Sequence, residues 1–267
     1  MRNKILDLES QSDTDRMMAL FIDGDNISHN YINDIIKESS KFGQVVMKRV
    51  YGNWNSDEMR GWRDRLQDNA LTPCQVFPNV KGKNATDSAL IIDVMDIMHE
   101  GTIGGFCIVT SDSDFTALAL RVKEHGKFVL GLGSRSTHKS FTNACTKFTL
   151  LENLGEGGSK KQPVKKAPPK KPEKPNGNGA AEKKPAKPKK EEDELLELLL
   201  DAYDNVDTDK GSVHLSVVIE YINKIDPGFD PRNYGVSKSI KLIEMYPEHF
   251  SIEKEKGYSV VISKISK

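Results

Sequence analysis

The segment that most limits how this chain can fold is residues 155–190. It contains seven prolines, repeated Lys-Lys pairs and no aromatic residue, so it cannot bury enough apolar surface to offset the entropy of ordering it. Its charge also departs from that of its neighbours. Lys and Arg outnumber Asp and Glu by 12 to 2 in residues 159–190, against 18 to 21 in residues 1–158 and 9 to 16 in residues 191–267. We therefore predict a disordered linker between two separately folded domains.

The rest of the chain divides into an N-terminal tail (1–15), a first domain (16–154) and a second domain (191–267). The tail is polar and carries acidic residues early, unlike a signal peptide. No stretch approaches the roughly 20 apolar residues of a membrane span. The three cysteines are widely spaced and form no CxxC pair, so neither a zinc site nor a disulfide framework is expected. We expect a reducing, cytoplasmic location and no membrane partner.

Strand and helix patterns alternate along the first domain. Short apolar runs predict strands over 17–22, 45–51, 74–77, 106–109 and 128–132, and helices are predicted over 27–39, 57–69, 88–99 and 115–124. This βαβα order predicts an α/β fold with a mainly parallel sheet between layers of helices. Ligands on such sheets bind beyond the carboxyl ends of the strands.

Aspartates lie just beyond or beside three of these apolar segments, in the runs 21–26, 86–88 and 110–115. Asp23 and Asp112 come where a strand is predicted to end, so both should lie at the carboxyl edge of the sheet. A cluster of carboxylates repels itself unless a cation lies among its members. Since Mg²⁺ and Mn²⁺ take oxygen ligands, the pattern predicts one of these ions at that edge.

Asp87 should point inward at the start of its helix, because it shares a face with apolar residues three, four and seven positions later. Asp96 lies half a turn away, where solvent is expected, and Asp93 lies on a flank. Asp93 and Asp25 are therefore supporting candidates only. Lys83, shortly before Asp87, could meet a substrate phosphate or could be a solvated loop lysine.

Each acid also has a purely structural interpretation. Asp87 could interact with the helix dipole, Asp112 or Asp114 could cap the following helix, and Asp23 could satisfy a turn. We favour an active site, because three such coincidences at one sheet edge are rarer than one. Carboxylates that hold a hard cation suit phosphodiester hydrolysis, in which the metal activates water. Asn26 could position a phosphate or a water without adding negative charge.

The second domain has the pattern of three helices followed by a β-hairpin. Helices are predicted over 191–204, 214–225 and 237–246, and hairpin strands over 251–253 and 258–263. This order is typical of a small winged-helix module.

The first domain resembles the NYN family of PIN-like nucleases, in particular its LabA and limkain-type branch. The matching segments are 19–26, 81–93, 106–115, 128–133 and 141–145. The resemblance implies a PIN-like fold and a metal-dependent ribonuclease with RNA as its partner. It also implies an acidic, metal-binding core of Asp23, Asp87 and Asp112, with Asp114 as the fourth member and Asn26 as a neighbour.

The second domain is similar to OST-HTH (LOTUS) modules through residues 228–238 and the helix and hairpin that follow. Such modules are winged-helix domains associated with RNA and, in some cases, with protein partners. The first RNA contacts to test are Arg232, Tyr234 and Lys238, although Tyr234 could simply belong to a packed turn. The domain is net acidic, which departs from a simple phosphate-binding surface. The basic linker could attract RNA non-specifically or act as a spacer.

Three functions are compatible with these patterns. The leading one is a metal-dependent ribonuclease, preferably an endoribonuclease, with an RNA-recognition module. A second is a non-catalytic RNA-binding or scaffolding protein, against which the intact acids count. A third is a phosphatase of the haloacid-dehalogenase type, because Asp23-Gly24-Asp25 mimics its DxD motif, in which the first aspartate becomes phosphorylated. Ile27 departs from the Thr or Val expected there. The oligomeric state is left open.

Overall fold

The computed structural model of this chain describes residues 16–77, 84–155, 189–206, 211–254 and 260–265. The predicted tail, most of the predicted linker and Lys83 lie outside them. The described residues fall into two compact units. The first unit takes those within 1–158 and 222–242, and the second takes those within 159–221 and 243–267.

A wholly parallel six-stranded sheet forms the centre of the first unit, in the order β3-β2-β1-β4-β5-β6. Its strands are β1 (Met17–Asp23), β2 (Gln44–Gly52), β3 (Thr72–Gln75), β4 (Gly105–Val109), β5 (Phe128–Gly133) and β6 (Lys147–Leu150). The helices are α1 (Ile32–Ser39), α2 (Arg60–Arg63), α3 (Ala85–Glu100), α4 (Thr116–Glu124) and α5 (Lys139–Ala144). The prediction of an α/β fold with a mainly parallel sheet and flanking helices is confirmed.

Two apolar cores cover the two faces of this sheet. Successive side chains of a strand point to opposite faces, so Phe21 and Ile108 belong to one core while Ile22 and Val109 belong to the other. Every residue of β4 is buried, as expected of a central parallel strand covered on both faces. These continuous apolar runs are the reason that β1 and β4 could be recognised in the sequence.

The strand order reverses between β1 and β4. From β1 the chain adds β2 and β3 on one side, and then returns to add β4, β5 and β6 on the other. The connections on the two sides diverge at that point, which leaves a crevice at the carboxyl ends of β1 and β4. Ile22 pairs with Val109 in the parallel register. The residues that follow them, Asp23 and Thr110, therefore lie side by side at the crevice.

The largest departure from the predicted elements is the region 57–69, which is helical only over Arg60–Arg63. Turns make up much of the remainder, and Ala70 has a positive φ of 48°. Helix α1 also begins later than predicted, because a 3₁₀ turn over His29–Tyr31 precedes it. The structure adds α5 and the short edge strand β6, which the predicted elements did not include.

The C-terminal part of the chain contains α6 (Lys189–Asn205), α7 (Leu215–Ile225) and α8 (Ser239–Ile243). Strands β7 (Val213–His214), β8 (Phe250–Lys254) and β9 (Val260–Lys264) form an antiparallel sheet in the order β7-β9-β8. The predicted helices and hairpin are present, with α8 shorter than expected. No helix within the described ranges is both long and apolar enough to cross a membrane.

Trp62 ties the loop after β1 to the core of the first unit. It is 1% exposed, and its indole N–H donates to the carbonyl oxygens of Gly24 at 3.1 Å and Ile27 at 3.2 Å. The loop between these carbonyls carries Asp25 and Asn26. Trp62 lies in α2, the part of the region 57–69 that is helical.

We predict that Trp62→Phe lowers the free energy of unfolding by about 1–3 kcal/mol, because two buried carbonyl oxygens lose their donor. Urea unfolding followed by circular dichroism measures the change. Trp54→Phe is the matched control, since Trp54 is half-buried and its indole N–H donates to a single carbonyl oxygen, that of Cys74. Trp54→Phe should lower the free energy of unfolding by less than Trp62→Phe does. Equal losses in the two variants would contradict the assigned role of Trp62.

Candidate metal centre

Three carboxylates meet at the crevice. Asp87 lies in the first turn of α3, and Asp112 and Asp114 lie in the loop and 3₁₀ turn that follow β4. One oxygen from each lies within 4.8 Å of the other two, and we call this set the acid triad. The backbone N–H of Asp114 donates to Asp112 Oδ1 at 2.9 Å, so the predicted capping interaction and the predicted clustering occur together.

Asp23 lies beside the acid triad at the end of β1 and is 0% exposed. Its Oδ2 accepts hydrogen bonds from Asn26 Nδ2 at 2.8 Å and from Thr110 Oγ1 at 2.9 Å. Its Oδ1 is buried and has no donor among the residues that the structure describes. Burial raises the pKa of Asp23 even though both hydrogen bonds oppose that shift. One of the two oxygens of this buried carboxylate therefore has no hydrogen-bond donor among the described residues.

Asp87 carries the clearest electrostatic signature of the centre. Burial, followed by the negative charges of Asp23, Asp112, Asp114 and Asp25, raises the pKa of Asp87 from its ordinary 3.8 to about 6. Like charges at short range disfavour each other's ionised form. The centre is thus destabilised near neutral pH unless positive charge enters it.

The residues present fit a divalent cation. Hard cations such as Mg²⁺ and Mn²⁺ bind several oxygen ligands, mostly carboxylates, carbonyls and waters. The acid triad supplies three carboxylates close together, and the orphaned Oδ1 of Asp23 lacks the positive partner that a buried carboxylate requires. A cation held by the acid triad would relieve the repulsion, to which the charge of the buried Asp23 also contributes.

The supporting candidates, Asp25 and Asp93, are not members of the acid triad. Asp25 is exposed, and its carboxylate accepts a hydrogen bond from Thr86 Oγ1 at 2.7 Å. Asp93 forms an ion pair with Arg49 and accepts a hydrogen bond from the Tyr51 hydroxyl. That ion pair neutralises its charge within the first unit. Asp96 is exposed, as its position on the helix predicted.

Arg232 is held by other residues of the first unit. Its guanidinium pairs with Asp230 at 2.6 Å and with Glu38 at 2.9 Å, and both acids are only 5% exposed. The ring of Tyr234 packs against Phe229 at a centroid distance of 5.9 Å, whereas Lys238 is exposed. Lys83 lies outside the described residues.

Two residues that matter to the centre were not identified from the sequence. Thr110 donates to Asp23, and its hydroxyl also accepts from the backbone N–H of Asp112 at 3.2 Å. Asn84 Nδ2 donates to Asp114 at 3.0 Å. Thr110 could have been found, because it follows β4 at the position that the parallel register sets beside Asp23. Asn84 could not, since its contact depends on how the chain enters α3.

A cleft of about 580 Å³ opens next to the acid triad. Asp112 and Asn26 line it on the side of the centre, and Tyr31, Ser134, His138 and Glu152 line it farther away. The centre is therefore the end of a larger concave surface.

Comparisons with known proteins identify two domains in the chain. The NYN domain model matches residues 17–152, and the OST-HTH/LOTUS domain model matches residues 184–262. The chain is 28% identical over 138 residues to the uncharacterized protein MJ0482 of Methanocaldococcus jannaschii, a match that covers 50% of this chain and 54% of that protein. It thus spans about half the length of this curated relative.

A solved structure is also similar to part of the chain. It is the crystal structure of a protein of unknown function, VPA0982, from Vibrio parahaemolyticus RIMD 2210633. The similarity has a TM-score of 0.45 at 18% identity, and it covers 52% of this chain and 95% of that one. The NYN match alone takes in just over half of the 267 residues. The chain therefore belongs to the NYN-domain family and carries a C-terminal OST-HTH/LOTUS domain.

Proposed function

We propose that this protein is a divalent-metal-dependent endoribonuclease, with Mg²⁺ or Mn²⁺ as its cofactor. The observation that carries the proposal is the acid triad beside the half-compensated Asp23, at the strand reversal of an NYN domain. Domains of this superfamily are nuclease-like, and the arrangement of the carboxylates suits phosphodiester hydrolysis. Asp114 and Asp25 are exposed, which leaves the edge open to an internal stretch of an RNA strand.

In this proposal Asp87, Asp112 and Asp114 hold the cation, and Asp23 adds negative charge from the core. When bound, the cation would polarise the scissile phosphate and lower the pKa of an attacking water. Thr110 and Asn26 hold the Asp23 carboxylate in one orientation through their hydrogen bonds. Asn26 acts as a positioning residue, because its amide nitrogen already donates to Asp23.

We propose that the OST-HTH/LOTUS domain supplies RNA capture, with a protein partner as the alternative. Lys238 is the exposed member of the three candidate contacts, whereas Arg232 is occupied by two acids. Lys83 stays a candidate phosphate contact. The excess of 12 basic over 2 acidic residues in 159–190 favours attraction of RNA that weakens as salt rises.

The other two candidate functions are less well supported. Attack on phosphorus by Asp23, as in a haloacid-dehalogenase phosphatase, requires an accessible carboxylate, whereas Asp23 is 0% exposed. A pure binding protein has no need of acids whose burial and mutual repulsion raise the pKa of Asp87 to about 6.

We predict that Asp112→Asn lowers RNA cleavage at least about 100-fold in Mg²⁺ or Mn²⁺, because one ligand and one charge are removed. The assay uses a labelled circular RNA, which only an endonuclease can open, and EDTA should abolish the reaction. Asp96→Asn is the matched control on an exposed acid and should keep full activity. Unchanged cleavage by Asp112→Asn would remove this site from the reaction.

We also predict a pH-dependent effect of Asp87→Asn on the metal-free protein. Because the pKa of Asp87 is raised to about 6 in the folded state, its stabilising contribution is complete below its ordinary pKa and is lost as pH rises through about 6. Asp87→Asn has no ionisable group at this position, so it does not lose this stability as pH rises. Relative to wild type, its free energy of unfolding should rise by about 1–3 kcal/mol between about pH 4 and about pH 7.

Urea unfolding in EDTA at several pH values measures this difference. Asp96→Asn, an exposed acid on the same helix, should show no such trend. A difference between Asp87→Asn and wild type that stays constant with pH would contradict the raised pKa of Asp87.

A further inference from the structure

The cleft beside the acid triad is built from the ends of four strands. Asn26 comes after β1, Asp112 after β4, Ser134 after β5 and Glu152 after β6. Because parallel strands end at the same edge of a sheet, the cleft continues from the centre across this half of the sheet. Its volume of about 580 Å³ lies in the range of sites that enclose a small organic group.

Glu152 lines the cleft, and one of its two carboxylate oxygens has no donor among the described residues. Its Oε1 accepts a hydrogen bond from the backbone N–H of Arg135 at 3.0 Å. Its Oε2 is buried and has no donor within the described part of the chain. A buried acceptor without a donor is costly. A ligand in the cleft that donates a hydrogen bond to the Glu152 carboxylate would remove the cost, once the side chain turns this oxygen toward the cleft.

The rest of the cleft offers hydroxyl groups, one imidazole and one aromatic ring. The hydroxyl oxygens of Ser111, Ser134 and Ser136 form a chain with spacings of 2.9 and 2.7 Å. His138 Nδ1 accepts from a backbone N–H at 3.2 Å, so Nε2 carries the hydrogen of the neutral ring. The ring of Tyr31 provides a surface on which a base can stack.

The charge of the cleft selects the kind of group that enters it. Among the residues that the structure describes, no Lys or Arg lines the cleft, whereas Asp112 and Glu152 are acidic. A phosphate is therefore disfavoured, and an uncharged group with several hydroxyl donors is favoured. A nucleoside has this chemistry, with an uncharged sugar and a flat base. In a nucleic-acid strand it is joined directly to the phosphate that the acid triad would receive.

We propose that this cleft is a ribonucleoside subsite in which Glu152 accepts a hydrogen bond from the ribose 2′-hydroxyl and Tyr31 stacks on the base. The 2′-hydroxyl is the group by which a protein distinguishes RNA from DNA, so Glu152 is a specificity-determining residue. The inference rests on the proposed function, since it assigns the nucleotide next to the phosphodiester at the centre.

The test measures binding of the full chain to a short single-stranded RNA, to DNA of the same sequence, and to RNAs with one 2′-deoxy nucleotide at each position in turn. Fluorescence anisotropy is recorded in Ca²⁺, a hard cation that takes oxygen ligands, and a gel confirms that the strands stay intact. Wild type should bind RNA more tightly than DNA. One 2′-deoxy position should weaken binding about tenfold, the loss of one charge-assisted hydrogen bond.

Glu152→Gln should bind RNA about tenfold more weakly than wild type, with DNA binding unchanged. The sensitive 2′-deoxy position should have a smaller effect in this variant, because the neutral amide forms only a weaker hydrogen bond with the 2′-hydroxyl. Tyr31→Leu should weaken RNA and DNA alike, since stacking does not depend on the sugar. Glu100→Gln, an exposed acid at the end of α3 distant from Asp87, should behave as wild type.

Equal loss of RNA and DNA binding by Glu152→Gln, or no loss at all, would overturn the subsite. The two proposals can fail separately. Discrimination that depends on Glu152 without cleavage in Mg²⁺ or Mn²⁺ would reject the nuclease and keep the subsite. Metal-dependent cleavage with equal use of RNA and DNA by wild type and Glu152→Gln would reject the subsite and keep the nuclease.

Discussion

Repulsion among carboxylates at the carboxyl ends of β1 and β4 is the constraint on which this structure depends. Asp23 is buried with one oxygen uncompensated, and the acid triad brings three more carboxylates beside it. Such an arrangement opposes folding near neutral pH, which the raised pKa of Asp87 reflects. It persists because the surrounding fold over-determines the positions of these residues. A divalent cation would balance these negative charges, and the proposed phosphodiester hydrolysis requires the same ion.

The fold holds these acids through ordinary packing. Parallel pairing of β1 and β4 fixes Asp23 beside Thr110, and the buried indole of Trp62 holds the loop that carries Asp25 and Asn26. Helix α3 packs an apolar face on the sheet and thereby directs Asp87 inward. The same strand edge continues into the cleft, where Glu152 supplies a second uncompensated carboxylate oxygen. The carboxylates that the proposed function uses therefore lower the stability of the fold at this edge of the sheet.

Sequence reasoning predicted most of this arrangement because its signals are local. Continuous apolar runs mark β1 and β4, and the helical face of α3 directs Asp87. Strand β6 was missed, because it has four residues at the sheet edge and only two of them are buried. The pairing of Asp93 with Arg49 could not be predicted from the sequence either, since it depends on how α3 crosses β2. Nothing in the sequence marked Glu152 as a candidate, because its proposed role depends on the cleft that forms where four strands end.

Direct titration of the purified, metal-free chain with Mn²⁺ tests the central claim, that the carboxylates at this edge form a cation site. Isothermal calorimetry near neutral pH should show saturable binding by wild type with release of protons, because the pKa of Asp87 is raised to about 6 and this carboxylate is partly protonated without the ion. Asp112→Asn should weaken this binding at least about tenfold. No saturable binding by wild type, or equal affinity in the variant, would contradict the account.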